Sequence, residues 1–600
     1  MIKNLLIILT CVLITLNLQA QNLHVAKIGD DLISDKEFKL RFETMPHITD
    51  DNFNLDSVKI KILSTIIAEK LWAKYAIEVG IDTTSYFKSL FTPIERLFVR
   101  DALYKKVVVP KTELSEDDIK FVTQFGNSKA ITDFYAFDDS ISADKAYNGL
   151  VNSFAIPKNI KVYADTAKEV TIGFMEDEDL EKQILTAKSM TIFHPFKTPA
   201  GWFVLQKRYN ARIAETTDNQ NISTLKQKMI ERRAKQFGSN YLKNLLGDIK
   251  LSINEIPFST LSDVFFEHYK LKISVDSTLK AKSLLFDDND FGIIKNKMSN
   301  LGNSVLIYAN NFKYTTNAFL TFLMYEDFKL KNPTKEGIKK KLVDYIKFFT
   351  EQEFITEEGI KQNLLNSPAV QEDLKVWKEN LLAQLIENNY VDTIKINEND
   401  IRNEYNKRYS EKEVLEEIKV QEILVDNLEK VEKILNDIDK GVDFGYLAEK
   451  NTLRSSFKQK QGVLGYISNK MFGEIGRIAE SLNINEIFGP IKSTEGYSII
   501  KILDKKKNET KASFESVKDI IKEGLFSQKS YKLLNNKTIE LAKKYGAEIN
   551  YSNLTNIKVT NINMFTHRFM GFGGKIAASP FTNSLYDWYE IYKKSKNESL

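Results

Sequence analysis

Cysteine is almost absent: Cys11 is the only one in 600 residues. Downstream of it, disulfide frameworks, thiolate catalysis and cysteine-held metals are excluded. Histidine is scarce as well. His24, His47, His194, His268 and His567 are scattered, with no pair at metal-ligand spacing, so no metal centre is expected. Local context assembles no Ser–His–Asp or Cys–His constellation, which argues against a hydrolase. Neither sign of charge dominates. With 85 basic and 81 acidic residues interspersed and a net charge of +4, the basic footprint of a nucleic-acid binder is missing. A nucleotide loop is missing too, because FMGFGGKIA (Phe569 to Ala577) has Phe569 where the phosphate loop needs glycine and Ile576 where it needs a hydroxyl. No cofactor is expected. Long uncharged apolar runs are lacking beyond residue 20.

The first twenty residues differ. MIKNLLIILTCVLITLNLQA has one lysine, an apolar run from Leu5 to Leu18 and Ala20 before Gln21, the pattern of a cleaved secretory signal peptide. The run is shorter than the roughly 20 residues a membrane span needs. A chain exported in this way, cysteine-free after cleavage, is held by packing alone.

Its length implies several domains, and the sequence carries a repeat. IFHPFKTPAGWFVLQK (Ile192 to Lys207) returns as IFGPIKSTEGYSIIKI (Ile487 to Ile502). LISDKEFKLRF from Leu32 corresponds to KYTTNAFLTFL from Lys313, and LSEDDI, ending at Ile119, to INENDI, ending at Ile401. Helical stretches follow each opening, and another helix follows each small module: STLKQKMIERRAKQFGSNYLKNLL from Ser223 and SFESVKDIIKEGLFSQKSYKLL from Ser513. Within the second module, VQEILV (Val420 to Val425) has strand length. Leu428, Val431, Leu435 and Ile438 follow at helical spacing, as do Ile475, Ile478, Ala479 and Leu482, and GPIKSTEGYSIIKIL closes as a hairpin. Strands at both ends with helices between predict a small antiparallel sheet covered by helices.

GVDFGYLA, GVLGY and GPIKSTEGYSII together resemble the parvulin (PpiC-type) peptidyl-prolyl isomerase domain over about 413–506. The helical phrases around ISDKEF and ILSTIIAEKLWAKYAIEVGI resemble the chaperone region of the SurA family, which serves outer-membrane proteins in the periplasm. The resemblance implies an α+β chain of SurA-like helical chaperone regions with two small parvulin-like α/β modules, internally duplicated. Its segments are 1–20 (signal peptide), 21–128 (helical), 129–210 (divergent module), 211–302 (helical linker), 303–412 (second helical region), 413–506 (parvulin-like module), 507–556 (helical) and 557–600 (aromatic tail).

The family's polar cluster usually has a histidine on the first strand, another on the last, and an acid or thiol between. Here Glu422 and Ser498 stand at the histidine positions, and TLRSS (Thr452 to Ser456) offers neither Asp nor Cys. In the first module the last-strand position is Phe203, and no histidine lies on the first strand. No catalytic residue is assigned. Leu464, Met471 and Ile475 match the family's apolar pocket, so the expected substrate-binding set is Leu464, Met471, Ile475, Glu422 and Ser498.

The implied function is that of an exported, ATP-independent holdase for unfolded outer-membrane or secreted proteins, whose modules are mainly peptide-binding platforms. One alternative is an active isomerase. The other is an accessory subunit of an outer-membrane assembly or secretion complex, docked through the aromatic tail, which on sequence grounds packs either on a partner or on its own core.

Overall fold

The computed structural model describes residues 23–47, 54–213, 218–275, 284–326, 328–410, 416–469, 471–507, 513–560 and 566–597. The expected signal peptide, Cys11 included, lies outside them.

The duplication is visible element by element. In the first copy, β1 (His24–Ile28) and β2 (Asp31–Ser34) form a hairpin, and the Ser34 side chain accepts the Glu37 N–H to start the helix Asp35–Thr44. The helix Leu55–Glu78 follows. Ser115 and Asp118 form a capping box that starts the helix Glu116–Phe125. The first module then comprises β3 (Ser128–Phe137), β4 (Ala164–Val170), β5 (Ile192–Thr198) and β6 (Gly201–Arg212) in the antiparallel order β4-β3-β6-β5. The helix Asp218–Leu246 and the short β7 (Leu251–Ile253) complete the copy.

The second copy repeats this after β8 (Leu284–Leu285). The hairpin is β9 (Val305–Ala309) and β10 (Phe312–Thr315), with the same alternation of buried and exposed residues as β1 and β2. Thr315 caps the next helix, Thr316–Met324, through the Ala318 N–H, and β11 (Lys329–Leu330) pairs with β8. The helices Lys335–Lys361, Pro368–Val391 and Glu398–Ser410 lead to the second module. There β12 (Glu416–Val425), β13 (Val463–Ile467), β14 (Ile487–Ser493) and β15 (Gly496–Lys507) adopt the equivalent order β13-β12-β15-β14. The long helix Phe514–Tyr545 and β16 (Glu548–Ile549) complete the second copy.

The closing strands are exchanged between copies. β7, at the end of the first copy, pairs with β9 of the second, Ser252 opposite Tyr308 and Ile253 opposite Ile307. β16, at the end of the second, pairs with β1 of the first, Glu548 opposite Lys27 and Ile549 opposite Ala26. The next residue is anchored alike in both: the Asn254 N–H donates to the Leu306 carbonyl and the Asn550 N–H to that of Val25.

Two compact units result, and they cut across the linear order of segments. One joins residues up to Phe98 with those from Leu365 onward; the other is the continuous stretch Val99–Leu364. In the discontinuous unit the helix Leu55–Glu78 packs along Pro368–Val391. A fully buried Arg41 grips Glu69 with both guanidinium nitrogens at 2.6 and 2.8 Å, and Asn380 Nδ2 donates to the same carboxylate at 2.6 Å. The unit's tail, with β17 (His567–Phe569), β18 (Lys575–Ala577) and the helix Asp587–Asn597, turns inward. Phe581, Leu585, Trp588, Tyr589 and Tyr592 are buried, and the Trp588 indole donates to the Ser64 carbonyl at 3.2 Å. Much of the tail therefore packs on its own core, while Phe569 and Ile591 stay exposed. The continuous unit has its own aromatic core around Phe265, Phe286, Phe291 and Phe328.

Candidate functional site

The second module brings its expected site residues together. On adjacent strands Leu424 lies opposite Ser498 and Glu422 opposite Ile500, so Glu422 and Ser498 are diagonal neighbours on one face. Ser498 Oγ donates to Glu422 Oε1 at 2.6 Å. The third corner is Arg454, from the stretch where an acid or thiol was sought. Its Nε donates to Glu422 Oε2 at 2.5 Å, and its terminal nitrogens to Glu495 at 2.8 and 3.1 Å and to Glu523 at 2.9 Å. The guanidinium lies 5.4 Å from the centroid of the Phe472 ring.

This hub is buried: Glu422 is 1% exposed, Ser498 0% and Arg454 6%. Burial opposes the Arg454 charge, but Glu422 and Glu495 outweigh it and hold the group above its ordinary pKa. Glu523 moves up instead, because burial and repulsion from Glu495 exceed the pull of Arg454. One oxygen of Glu422 is thus held by the Arg454 guanidinium and the other by the Ser498 hydroxyl.

The apolar half of the expected site is covered. Leu464 and Ile475 belong to one buried cluster with Ile401, Val517, Ile520, Ile521 and Leu525, and Met471 packs against it. Val517, Ile520, Ile521, Gly524 and Leu525 form one stripe of the helix Phe514–Tyr545, at i, i+3, i+4, i+7 and i+8. The approach is close: a Cβ at Gly524 would lie 2.7 Å from Met471 Cε, and one at Gly465, whose φ is +93°, 2.8 Å from Ile520 Cδ1. Glu523 and Ser527, on the same helix, reach the polar half, Ser527 Oγ donating to Glu495 at 3.3 Å. The set expected to line an open groove is thus the seat of the chain's own helix. The physical reason is that stripe, which needs an apolar surface and finds this one.

Sequence reasoning missed Arg454, Glu495 and Glu523. The signal available was the apolar stripe after Ser513; the ionic partners left none.

The first module has the same sheet with different contents. Phe203 lies opposite Ala136, and Phe134, opposite Leu205, takes the place that Glu422 holds opposite Ile500. Phe196 stacks on Phe203 with centroids 6.0 Å apart. Phe134, Phe193, Phe196 and Phe203 are all only half-buried. Leu225 and Met229 of the following helix belong to the buried cluster under this sheet, and Ile222, Phe134, Phe193 and Phe196 pack against it. Among the described residues there is no cluster of metal-ligating side chains and no helix long and apolar enough to cross a membrane.

Residues 415–504 match the family Rotamase: PPIC-type PPIASE domain, so the second module is a parvulin-type domain. The parvulin-like PPIase of Rickettsia typhi (strain ATCC VR-144 / Wilmington) is 27% identical over 258 residues, covering 41% of this chain and 88% of the relative. The foldase protein PrsA of Oceanobacillus iheyensis is 28% identical over 255 residues, 38% of this chain and 83% of the relative. A solved structure described as a SurA-like chaperone of Campylobacter jejuni is 23% identical, covering 34% of this chain and 84% of that one, with a TM-score of 0.17. In fold the chain is α+β, with helical regions and small sheets, as the sequence led one to expect.

Proposed function

We propose that the protein is an exported, ATP-independent chaperone that holds unfolded polypeptides, with outer-membrane or secreted proteins as clients and the periplasm as its place of action. Its second module serves as a scaffold rather than an isomerase. One observation carries this reading: the face bearing Leu464, Met471, Ile475, Glu422 and Ser498 is filled by the helix Phe514–Tyr545 and locked by Arg454. Burying Val517, Ile520, Ile521 and Leu525 is worth about 1.5–3 kcal/mol each. Client contact then falls to surfaces such as the half-buried phenylalanines of the first module, which suit the alternating apolar residues of unfolded β-strands. Weak contacts of this kind, repeated along one chain, add through effective concentration. The relatives' names, foldase and parvulin-like PPIase, support a role with polypeptide substrates.

The family match at 415–504 favours a second reading, an active prolyl isomerase. One experiment separates the two. At Gly524 a Cβ would lie 3.5 Å from Met471 Cβ, within disulfide range. A chain from Gln21 carrying Met471→Cys and Gly524→Cys would hold no other cysteine, so oxidation locks the helix onto the module. For a scaffold, oxidised and reduced forms suppress client aggregation equally and neither accelerates isomerisation of an Ala-Pro peptide. Isomerisation that appears on reduction establishes the enzyme reading instead.

A further inference from the structure

The repeated phrase has a second use. In the discontinuous unit, IFGPIK contributes Phe488, Pro490, Ile491 and Lys492 to the wall of a cavity of about 140 Å³. Ile62 and Phe581 continue the apolar wall. The cavity is separate from the sealed face, sharing none of Leu464, Met471, Ile475, Glu422 or Ser498.

Its wall carries a lysine beside apolar groups. Among the described residues no hydrogen bond or ion pair reaches Lys492, whose ammonium lies 4.6 Å from the centroid of the Tyr497 ring. Burial pulls Lys492 down to about 8, with Glu387 opposing, and burial pushes Glu387 itself up to about 8, where the Asn583 amide donates to it. The one carboxylate in the lining, Glu474, is already held by Arg477 at 2.8 Å and by the Tyr586 hydroxyl at 3.0 Å.

We propose that this cavity binds a carboxylate carried on one apolar group, with Lys492 as its counter-charge, and that the group is the free C-terminal residue of an unfolded chain. A cavity of about 150 Å³ takes up benzene, so this one fits a single leucine or phenylalanine side chain. A long alkyl tail has no room. The choice of a chain terminus rests on the proposed role with unfolded polypeptides; the carboxylate chemistry does not.

The test uses the chain from Gln21 and a labelled heptapeptide, polar except for a terminal leucine, read by fluorescence anisotropy. The free acid binds at least tenfold tighter than its C-terminal amide, Lys492→Met removes that preference, and Lys492→Arg keeps it, with a melting temperature no lower than that of the unsubstituted chain as the control for folding. Equal affinity for acid and amide, or a preference that survives Lys492→Met, overturns the site. Decanoate that binds where the peptide does not overturns the assignment to a chain terminus. Aggregation suppression of a client with a blocked C-terminus is measured alongside, so failure of the chaperone reading and failure of this site register separately.

Discussion

The two modules share strand order and the helix that follows, yet they resolve the same sheet position in opposite ways. In the second, Glu422 and Ser498 are polar, and that polarity is tolerated only because Arg454, Glu495 and Glu523 converge on it and the helix shuts out water. In the first, Phe134 and Phe203 occupy the corresponding places and stay half-buried, and the ionic ties to the following helix lie elsewhere, Arg233 on Asp118 and Glu178 and Arg232 on Glu181. On the proposed reading, a module whose site is satisfied internally serves as framework, and one that leaves aromatic surface half-open meets the client.

The strongest way to break this contrast is Arg454→Ala. It strands Glu422, and removing one partner of a buried ion pair costs about 3–5 kcal/mol. Chemical denaturation of the chain from Gln21 should show a loss of that size, and a change below about 1 kcal/mol would mean the hub is not what holds the face shut. Next, Ile520→Ala should cost about 2–5 kcal/mol as a large-to-small change in the core. Met471→Glu, which sets a charge against Gly524, should likewise lower the melting temperature instead of merely weakening a groove. The same substitution with unchanged melting would restore the open-groove picture.

A smaller effect is pH-dependent and belongs to the discontinuous unit. Glu387, raised from 4.5 to about 8, holds its proton more tightly folded than unfolded, so stability is greatest below about pH 4.5 and falls as pH rises toward 8. Lys492, lowered from 10.5 to about 8, acts oppositely above that, and stability recovers toward pH 10. Glu387→Gln should therefore stabilise by up to a few kcal/mol at pH 8 and by little at pH 5, as melting curves across that window would read. A constant difference would place its effect in packing. The smallest expected change in stability is Phe203→Ser in the first module. A half-exposed ring should cost no more than about 1–2 kcal/mol, while aggregation suppression of an unfolded β-barrel client drops measurably. Unaltered suppression would move the client surface elsewhere.

Much of this was legible from the residues. The strands of the second module follow from Val420–Val425 and the closing hairpin, and the duplication stands in the repeated phrases. What was hidden is hidden for a physical reason. Arg454 meets Glu495 and Glu523 across 41 and 69 residues of chain, and no local pattern encodes a long-range charge pairing. The stripe from Val517 to Leu525 reports that the helix buries a face, but amphipathicity does not name the surface on which it lands. The exchanged strands β7 and β16 are too short, at three and two residues, to carry a periodic signal.

That exchange has a consequence for the order in which the molecule can be made. The stretch Val99–Leu364 is continuous, and its hairpin is closed by β7 from just upstream, so every strand it needs is present by the time residue 364 exists. The other unit waits: β1 gains its partner only when Ile549 comes to lie opposite Ala26. Closing so long a loop costs entropy that grows only with the logarithm of its length, but pairings this remote in sequence slow folding. A compact middle formed first shortens the distance the two ends must search. The molecule is thereby set up to fold from the inside outward, its first strand being among the last to find its place.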